Sequence, residues 1–228
     1  MSDSSNATTV REQEPVSPEG PGDDALGELD EAARERRAGA LANVRQFGDP
    51  VLRSRASEVS SFGPALEREA EGMISIMRDA LGVGLAATQL GVMHRLLVFQ
   101  AGADASPTAV VNPELEWLSD AMATAEEGCL SLPGIAVDVE RPLHARVRGR
   151  DVRGDELLIE ASGLEARVLQ HEIDHLDGVL ILDRTQREQR KAALRALREG
   201  ESYSPTPPED GEAGEREPME EGGASGEA

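Results

Sequence analysis

Residues 163–178 read GLEARVLQHEIDHLDG. The apolar residues of Leu164–Leu176 recur at helical spacing, and Gly178 is placed to end a helix there. Within this stretch QHEIDH occupies 170–175, so His171 and His175 stand four residues apart, on one helix face and about one turn from each other. Two imidazoles so placed can grip one metal ion, and Glu172 can reach a water beside that ion as a general base. The plainer alternative is a pair of satisfied or surface histidines among helix carboxylates. Against it, the chain has 4 histidines and two of them sit in this spacing around a glutamate.

A catalytic metal site of this type needs a third protein ligand and an open position. The extended zinc-peptidase pattern H-E-x-x-H-x-x-G-x-x-H fits Gly178 but ends here on Ile181, which cannot ligate, and no histidine follows His175. A glutamate from a later helix is poorly served by Glu188, which is close in sequence, or by Glu201, which lies in a low-complexity segment. Cys129 is the only thiol and lies in EEGCLSLPG, residues 126–134. A lone cysteine is often a small buried hydrophobe, but these polar, glycine-bearing surroundings point to a ligand. A thiolate with two imidazoles suits Zn(II), Fe(II) or Co(II). A third cluster is GVGLAATQLGV, residues 82–92. Gly82 and Gly84 permit close backbone approach, Ala86 and Ala87 stay out of the way, and Gln89 supplies an amide. A glycine turn followed by tight packing of small residues accounts for this cluster equally well, and the G-x-G-x-x-G spacing is missing.

Around these segments the pattern alternates. Gly63–Leu81 reads as an amphipathic helix through Leu66, Ala70, Met73, Ile74, Met77 and Leu81. Leu96–Phe99 and Ala109–Asn112 read as short strands, the second stopped by Pro113. Ile135–Val139, His144–Gly149 and Glu156–Glu160 follow as strands, with a turn before the last. Val179–Leu182 reads as extended, and Thr185–Arg198 as a final helix closed by Gly200. Strands in one block with helices before and after predict an α+β fold: antiparallel strands around a central HExxH helix, with N-terminal and C-terminal helices. With 3 Phe, 1 Trp and 1 Tyr, the core must be mostly Leu, Val, Ile and Ala.

The charge is uneven. The 228 residues carry a formal charge of -21, of which residues 1–38 hold -6 and residues 200–228 hold -8, leaving -7 between them. The two flanks are rich in Ser, Pro, Gly and acids and predict disorder, although a short helix over Ala25–Leu41 is conceivable. Residues 39–199 form one domain able to bury a sizeable core. Such acidity excludes a general DNA or nucleic-acid binder. One cysteine points to a reducing compartment, hence the cytoplasm. No apolar run approaches a membrane span, and the N-terminus lacks the layout of a signal peptide.

Taken together, GVGLAATQ at 82–89, EGCLS at 127–131 and QHEIDH at 170–175 resemble the signatures of peptide deformylases, in the same order and at similar separations. The resemblance extends over about residues 42–198 and includes FGDPVLR and VNPEL. It implies an enzyme that removes formate from the N-formylmethionine of nascent proteins. Carried over by motif, Cys129, His171 and His175 would hold the metal, Glu172 would be the general acid and base, and Gln89 with the Leu130 backbone N–H would bind the oxyanion. Val83–Gly84 and the residues after Ser131 would pair with the substrate backbone. The resemblance implies Fe(II) as the native ion, with Zn(II), Ni(II) or Co(II) able to replace it. A narrow site at Gly84 and Ala86 would admit only the hydrogen-bearing formyl group, and methionine would fill an apolar pocket lined by Leu164 and Val168. Glu127 and Arg141 are a candidate ion pair near Cys129, with ordinary surface charges as the alternative. On the final helix, Arg187, Arg190, Lys191, Arg195 and Arg198 fall on one face. That face is either an ordinary solvated surface or a docking patch for ribosomal RNA phosphate. A zinc peptidase and a non-catalytic binding module are the competing readings. The first lacks its downstream ligand, and the second would be expected to have lost a ligand or the base.

Overall fold

The computed structural model describes residues 30–102 and 105–205. The disorder expected of 1–29 and 206–228 lies outside the described residues.

Helix α1 (Glu31–Leu41) starts at Asp30, whose Oδ1 accepts from the Ala33 N–H at 2.6 Å, and it packs on α2 (Pro64–Asp79). The domain start expected at residue 39 therefore falls inside a capped helix. A 3-10 turn, Pro50–Arg53, lies between the two helices. Seven strands follow: β1 (Gly84–Ala86), β2 (Leu96–Phe99), β3 (Thr108–Leu118), β4 (Met122–Gly128), β5 (Ala136–Pro142), β6 (His144–Arg150) and β7 (Glu156–Ser162). The chain then forms α3 (Leu164–Leu176), the short α4 (Ile181–Arg184) and α5 (Arg187–Glu199). All strand pairs are antiparallel; one sheet runs β1-β2-β3-β6-β7, and β4-β5 form a second, two-stranded sheet. The α+β expectation is met.

The unbroken run LLVF of β2 is apolar because both faces of that strand are covered. Leu97 and Phe99 face a core with Leu169, Ile173 and Leu176 of α3, while Leu96 and Val98 face Leu66, Met73 and Met77 of α2. The period of two along the strand thus sends alternate side chains to two helices. The β4-β5 pair has its own core: Val137 and Val139 pack with Ile181, Leu182, Ala193 and Ala196 of α4 and α5.

Two local expectations are corrected, and one strand appears that the sequence did not suggest. Strand β3 does not stop at Pro113 but continues to Leu118. Its register against β6 slips between Val111 and Glu114, and Asn112 there has φ 51°, so the proline sits in a bulge where its missing N–H leaves no ladder gap. The Asn112 side chain holds the bend by bonding the Val59 N–H at 2.8 Å and the Val59 carbonyl at 2.9 Å. Val179–Leu182 is not an extended run, because Ile181–Arg184 makes a helical turn with Asp183 Oδ2 accepting from the Leu180 N–H at 3.0 Å. Four apolar residues carry no period that separates helix from strand. Finally, MATAEEG of β4, too poor in β-branched residues to read as a strand, is one because all seven of its residues pair with β5.

Helix α3 ends as its glycine foretells. Gly178 has φ 76°, the Val179 N–H reaches back to the Asp174 carbonyl at 2.8 Å, and a Cβ at 178 would lie 2.7 Å from the Arg53 carbonyl oxygen. At the other end of the chain, Tyr203 passes the expected domain end at residue 199. Its N–H donates to the Gly134 carbonyl and its own carbonyl accepts from the Ala136 N–H, both at 2.8 Å.

Candidate active site

Cys129 leaves the end of β4, just past the last pair of the hairpin, Gly128 with Ala136, and α3 passes beside it. The ligand atoms of Cys129, His171 and His175 all lie within 4.8 Å of one another. Cys129 Sγ is 3.2 Å from His175 Nε2, and the two imidazoles meet edge to face with centroids 5.0 Å apart. One thiol and two imidazoles converging at this spacing, with Glu172 Oε2 beside them buried and without a hydrogen-bond partner among the described residues, fit a divalent cation of the borderline-soft type.

Behind the cluster lies a buried ionic network. Glu127, 1% exposed, accepts from Arg141 Nε at 2.6 Å and Nη2 at 2.9 Å, from Arg167 Nη1 at 2.7 Å and from His171 Nδ1 at 3.0 Å. The expected Glu127–Arg141 pair is therefore present, and as a bidentate one. Burial works against the charge on Glu127, yet the bonds from His171 and Arg141 hold its carboxyl well below the usual carboxylate range. Arg141 Nη1 also reaches Asp174 Oδ2 at 2.9 Å, and Arg184 Nη2 reaches Asp174 Oδ1 at 2.5 Å. The network thus clamps the β4-β5 pair, which carries Cys129, to the helix that carries both histidines.

Glu172 is 4% exposed, and burial pushes its carboxyl up to about 7, with Glu127 adding to the rise while His171 and Arg141 oppose it. Gly84 on β1 presses directly against it: a Cβ there would lie 2.3 Å from Glu172 Oε1. Gln89 stands in the 3-10 turn Ala87–Leu90 that follows β1. Its Oε1 accepts from the Ala86 N–H at 2.9 Å, which turns Nε2 to Ser131 Oγ at 3.3 Å and to Cys129 Sγ at 3.8 Å. Among the described residues the Leu130 N–H makes none of the turn and loop hydrogen bonds. The segment after α1 ties these pieces together, since the Arg45 N–H donates to the Gln89 carbonyl at 2.6 Å and the Phe47 N–H to the Ser131 carbonyl at 2.9 Å.

A cleft of about 470 Å³ opens over these groups, within the usual size for a small-ligand site. Val83, Gly84, Gln89, Cys129, Leu130, Val168, His171 and Glu172 line it, and His175 is buried beside it. Of the residues read from sequence, Leu164 and Ala86 are not in the lining; Ala86 is fully buried in the core between the main sheet and α3, so Gly84 borders the cleft without it. Leu164 packs against the core of α3 and the main sheet, so Val168 lines the cleft without it. Leu164 opens α3, and the helix turns it to the sheet rather than to the cleft. Sequence reasoning passed over Arg167, Asp174 and Arg184, whose burial or pairing depends on partners from distant strands. It also passed over Arg37 and Tyr203, which line the cleft from outside the expected domain. A signal existed for Arg167 and Asp174 alone: charged residues on a helix that the histidine motif already places inside.

Known proteins share this architecture. The family model described as polypeptide deformylase matches residues 41–191. The peptide deformylase of Parafrankia sp. (strain EAN1pec) is 44% identical over 169 residues, 74% of this chain and 92% of the relative. That of Thermotoga neapolitana is 50% identical over 144 residues, 63% of this chain and 87% of the relative. Among solved structures, a Synechococcus elongatus peptide deformylase in complex with actinonin superposes with TM-score 0.65 and 37% identity, covering 70% of this chain and 88% of that one. The Thermotoga maritima peptide deformylase does so with TM-score 0.61 and 46% identity, covering 63% and 96%.

Proposed function

The chain belongs to the polypeptide deformylase family and removes the formyl group from the N-terminal formylmethionine of nascent peptides, and we propose the following roles for its residues. The observation that carries them is the meeting of Cys129, His171, His175 and Glu172 at one cleft. Cys129, His171 and His175 hold the metal. When bound, a divalent cation supplies Lewis acidity, polarising the formyl carbonyl and acidifying water. Glu172 takes the proton of the attacking water and delivers it to the amine as the C–N bond breaks, giving formate and a free methionyl terminus. The Gln89 amide and the Leu130 N–H stabilise the charge that develops on the formyl oxygen. Gly84 leaves room for the Glu172 carboxylate and a substrate backbone along Val83–Gly84, and Val168 contributes to the methionine pocket.

Fe(II) is the proposed resident ion, on the family resemblance; the thiolate and imidazole donors also accept Zn(II), Ni(II) or Co(II). Residues 39–199 form the catalytic domain, with 31–38 and 200–205 packed on it. A cytoplasmic site of action fits the single cysteine, and no helix among the described residues is long and apolar enough to cross a membrane. Arg187, Arg190, Lys191, Arg195 and Arg198 are all exposed on α5, while Ala193 and Ala196 bury its other face. This face is the proposed ribosome contact. Arg190 shares its charge with Asp183 at 3.5 Å and Arg195 with Glu199 at 3.0 Å, which leaves Arg187, Lys191 and Arg198 as the stronger phosphate partners.

Formate release from formyl-Met-Ala-Ser by anaerobically purified protein, with metal analysis of the same sample, tests the catalytic reading. Activity proportional to bound metal is expected, and cleavage of an internal peptide bond instead would favour a peptidase. Co-sedimentation with ribosomes tests docking. Binding should fall as salt rises, and equal binding by an Arg187/Lys191/Arg198→Glu variant would rule this face out.

A further inference from the structure

The cleft is walled partly by chain outside the matched family region. Arg37 of α1 lines it on one side and Ser202–Ser204 on another, whereas the family match begins at residue 41 and ends at 191. The other charged groups of the lining are engaged. Glu127 and Arg167 bind each other at 2.7 Å within the ionic network, and Glu126 accepts from Ser204 Oγ at 2.7 Å. Two charged lining residues keep a buried polar atom without a hydrogen-bond partner among the described residues: Glu172, at Oε2, and Arg37, at Nε. Glu172 is accounted for by the reaction. Arg37 makes no ion pair among the described residues, and a buried guanidinium nitrogen without an acceptor is costly unless something supplies one.

The helix that carries Arg37 is not loosely placed. Asp30 caps it, Ala40 is buried beneath it, and the Asn43 side chain bonds back to the Gly39 carbonyl at 2.9 Å. Two residues beyond Asn43, the Arg45 N–H joins the chain to Gln89. Arg37 is therefore a half-buried cation held at the edge of a cleft whose reactive end is fixed by Gln89, Cys129 and Glu172.

Resting on the deformylase reading, we propose that Arg37 is a specificity-determining residue that recognises a carboxylate on one of the residues immediately following the formylmethionine. Once formylmethionine occupies the reactive end, the cleft continues past it, and the next side chains of an extended peptide meet its walls. The guanidinium fork matches a carboxylate and can bind it in bidentate fashion. A neutral carbonyl would also satisfy Nε, but it would confer no sequence preference. Arg37 also offsets the repulsion that Glu126 and the -21 net charge of the chain would exert on an acidic peptide.

The test measures kcat and KM of the metal-loaded full chain on two peptide series, formyl-Met-Xaa-Ser and formyl-Met-Ala-Xaa, with Xaa as Glu, Gln or Lys. Wild type should favour Glu over Gln in one series by about ten-fold in kcat/KM, mainly through KM, the scale of one charge-assisted pair. Arg37→Gln should erase the preference, Arg37→Glu should invert it towards Lys, and Arg37→Lys should keep part of it. kcat on the Gln peptides should stay within a few-fold throughout. No preference in wild type, the same Glu-to-Lys ratio in all four proteins, or a uniform change across every peptide would overturn the proposal while leaving the deformylase reading intact. No formate from any peptide with wild type would overturn both.

Discussion

The Glu127 carboxylate accepts a hydrogen bond from His171 Nδ1 at 3.0 Å, which leaves Nε2 of that ring for the cluster with Cys129 and His175. A carboxylate in this position fixes both the tautomer and the orientation of a ligating imidazole. The same carboxylate pairs with Arg141 and Arg167, so one side chain orients the proposed ligand His171 and holds two buried arginines. Glu127→Gln should weaken metal retention about 10–100-fold against a competing chelator. It should also lower unfolding free energy by about 3–5 kcal/mol, because buried Arg167 loses its carboxylate partner and Arg141 keeps only Asp174. An unchanged chelator titration would show that the ring is oriented by something else.

Cys129 is half-buried and packs against the core of the β4-β5 pair, yet its sulfur lies 3.2 Å from His175 Nε2. Cys129→Ala should abolish stoichiometric metal and activity while the far-ultraviolet circular dichroism is kept. Retained metal with full turnover would remove Cys129 from the ligand set.

Glu172 separates chemistry from metal binding. Glu172→Gln preserves volume but cannot accept the proton, so turnover should fall by about 10²–10⁴ with metal content unchanged. Activity within a few-fold of wild type would exclude Glu172 as the proton carrier.

Gly84 tests the contact between β1 and that carboxylate. The added methyl of Gly84→Ala would overlap Glu172 Oε1, 2.3 Å from the new Cβ, and the cheapest relief is to move the carboxylate out of place. The variant should remain folded and metal-bound yet lose at least ten-fold in kcat. Wild-type kcat would mean that Glu172 tolerates displacement.

Asp183 gives a pH signature away from the metal. Its partial burial raises the carboxyl pKa, but the Arg53 guanidinium and the Leu180 N–H outweigh this and hold it below the ordinary value. A depressed pKa contributes stability that is present above the unfolded value, about 3.9, and is lost as pH falls through the folded value. The pair is substantially solvent-exposed, so Asp183→Asn should cost only about 0.5 kcal/mol near pH 6. In urea titrations that difference should shrink as pH falls below the unfolded value and through the lowered folded one. A difference independent of pH would mean the effect is not ionic.

By itself, the sequence determined the class of the fold and the residues proposed for the chemistry. Helical period and the i, i+4 rule place His171, Glu172 and His175 on α3, and Gly178 ends that helix, because local geometry alone dictates these relations. The same local logic exposed LLVF and the amphipathic α2. Composition around Cys129 and Gln89 marked them as candidates and the family resemblance gave them roles, but their spacing from the histidines in sequence says nothing about their distance in space. What tertiary structure decided is everything that depends on a partner far along the chain. MATAEEG becomes a strand only against β5, and Pro113 is tolerated only because β3 bulges against β6. Leu164 turns to the sheet instead of the cleft, Arg141 and Arg167 are drawn inside by Glu127, and Arg37 reaches the cleft from a helix whose sequence looks like solvated linker. A pattern of neighbours carries the period of an element, but which face of it meets which distant group is fixed only when the layers pack.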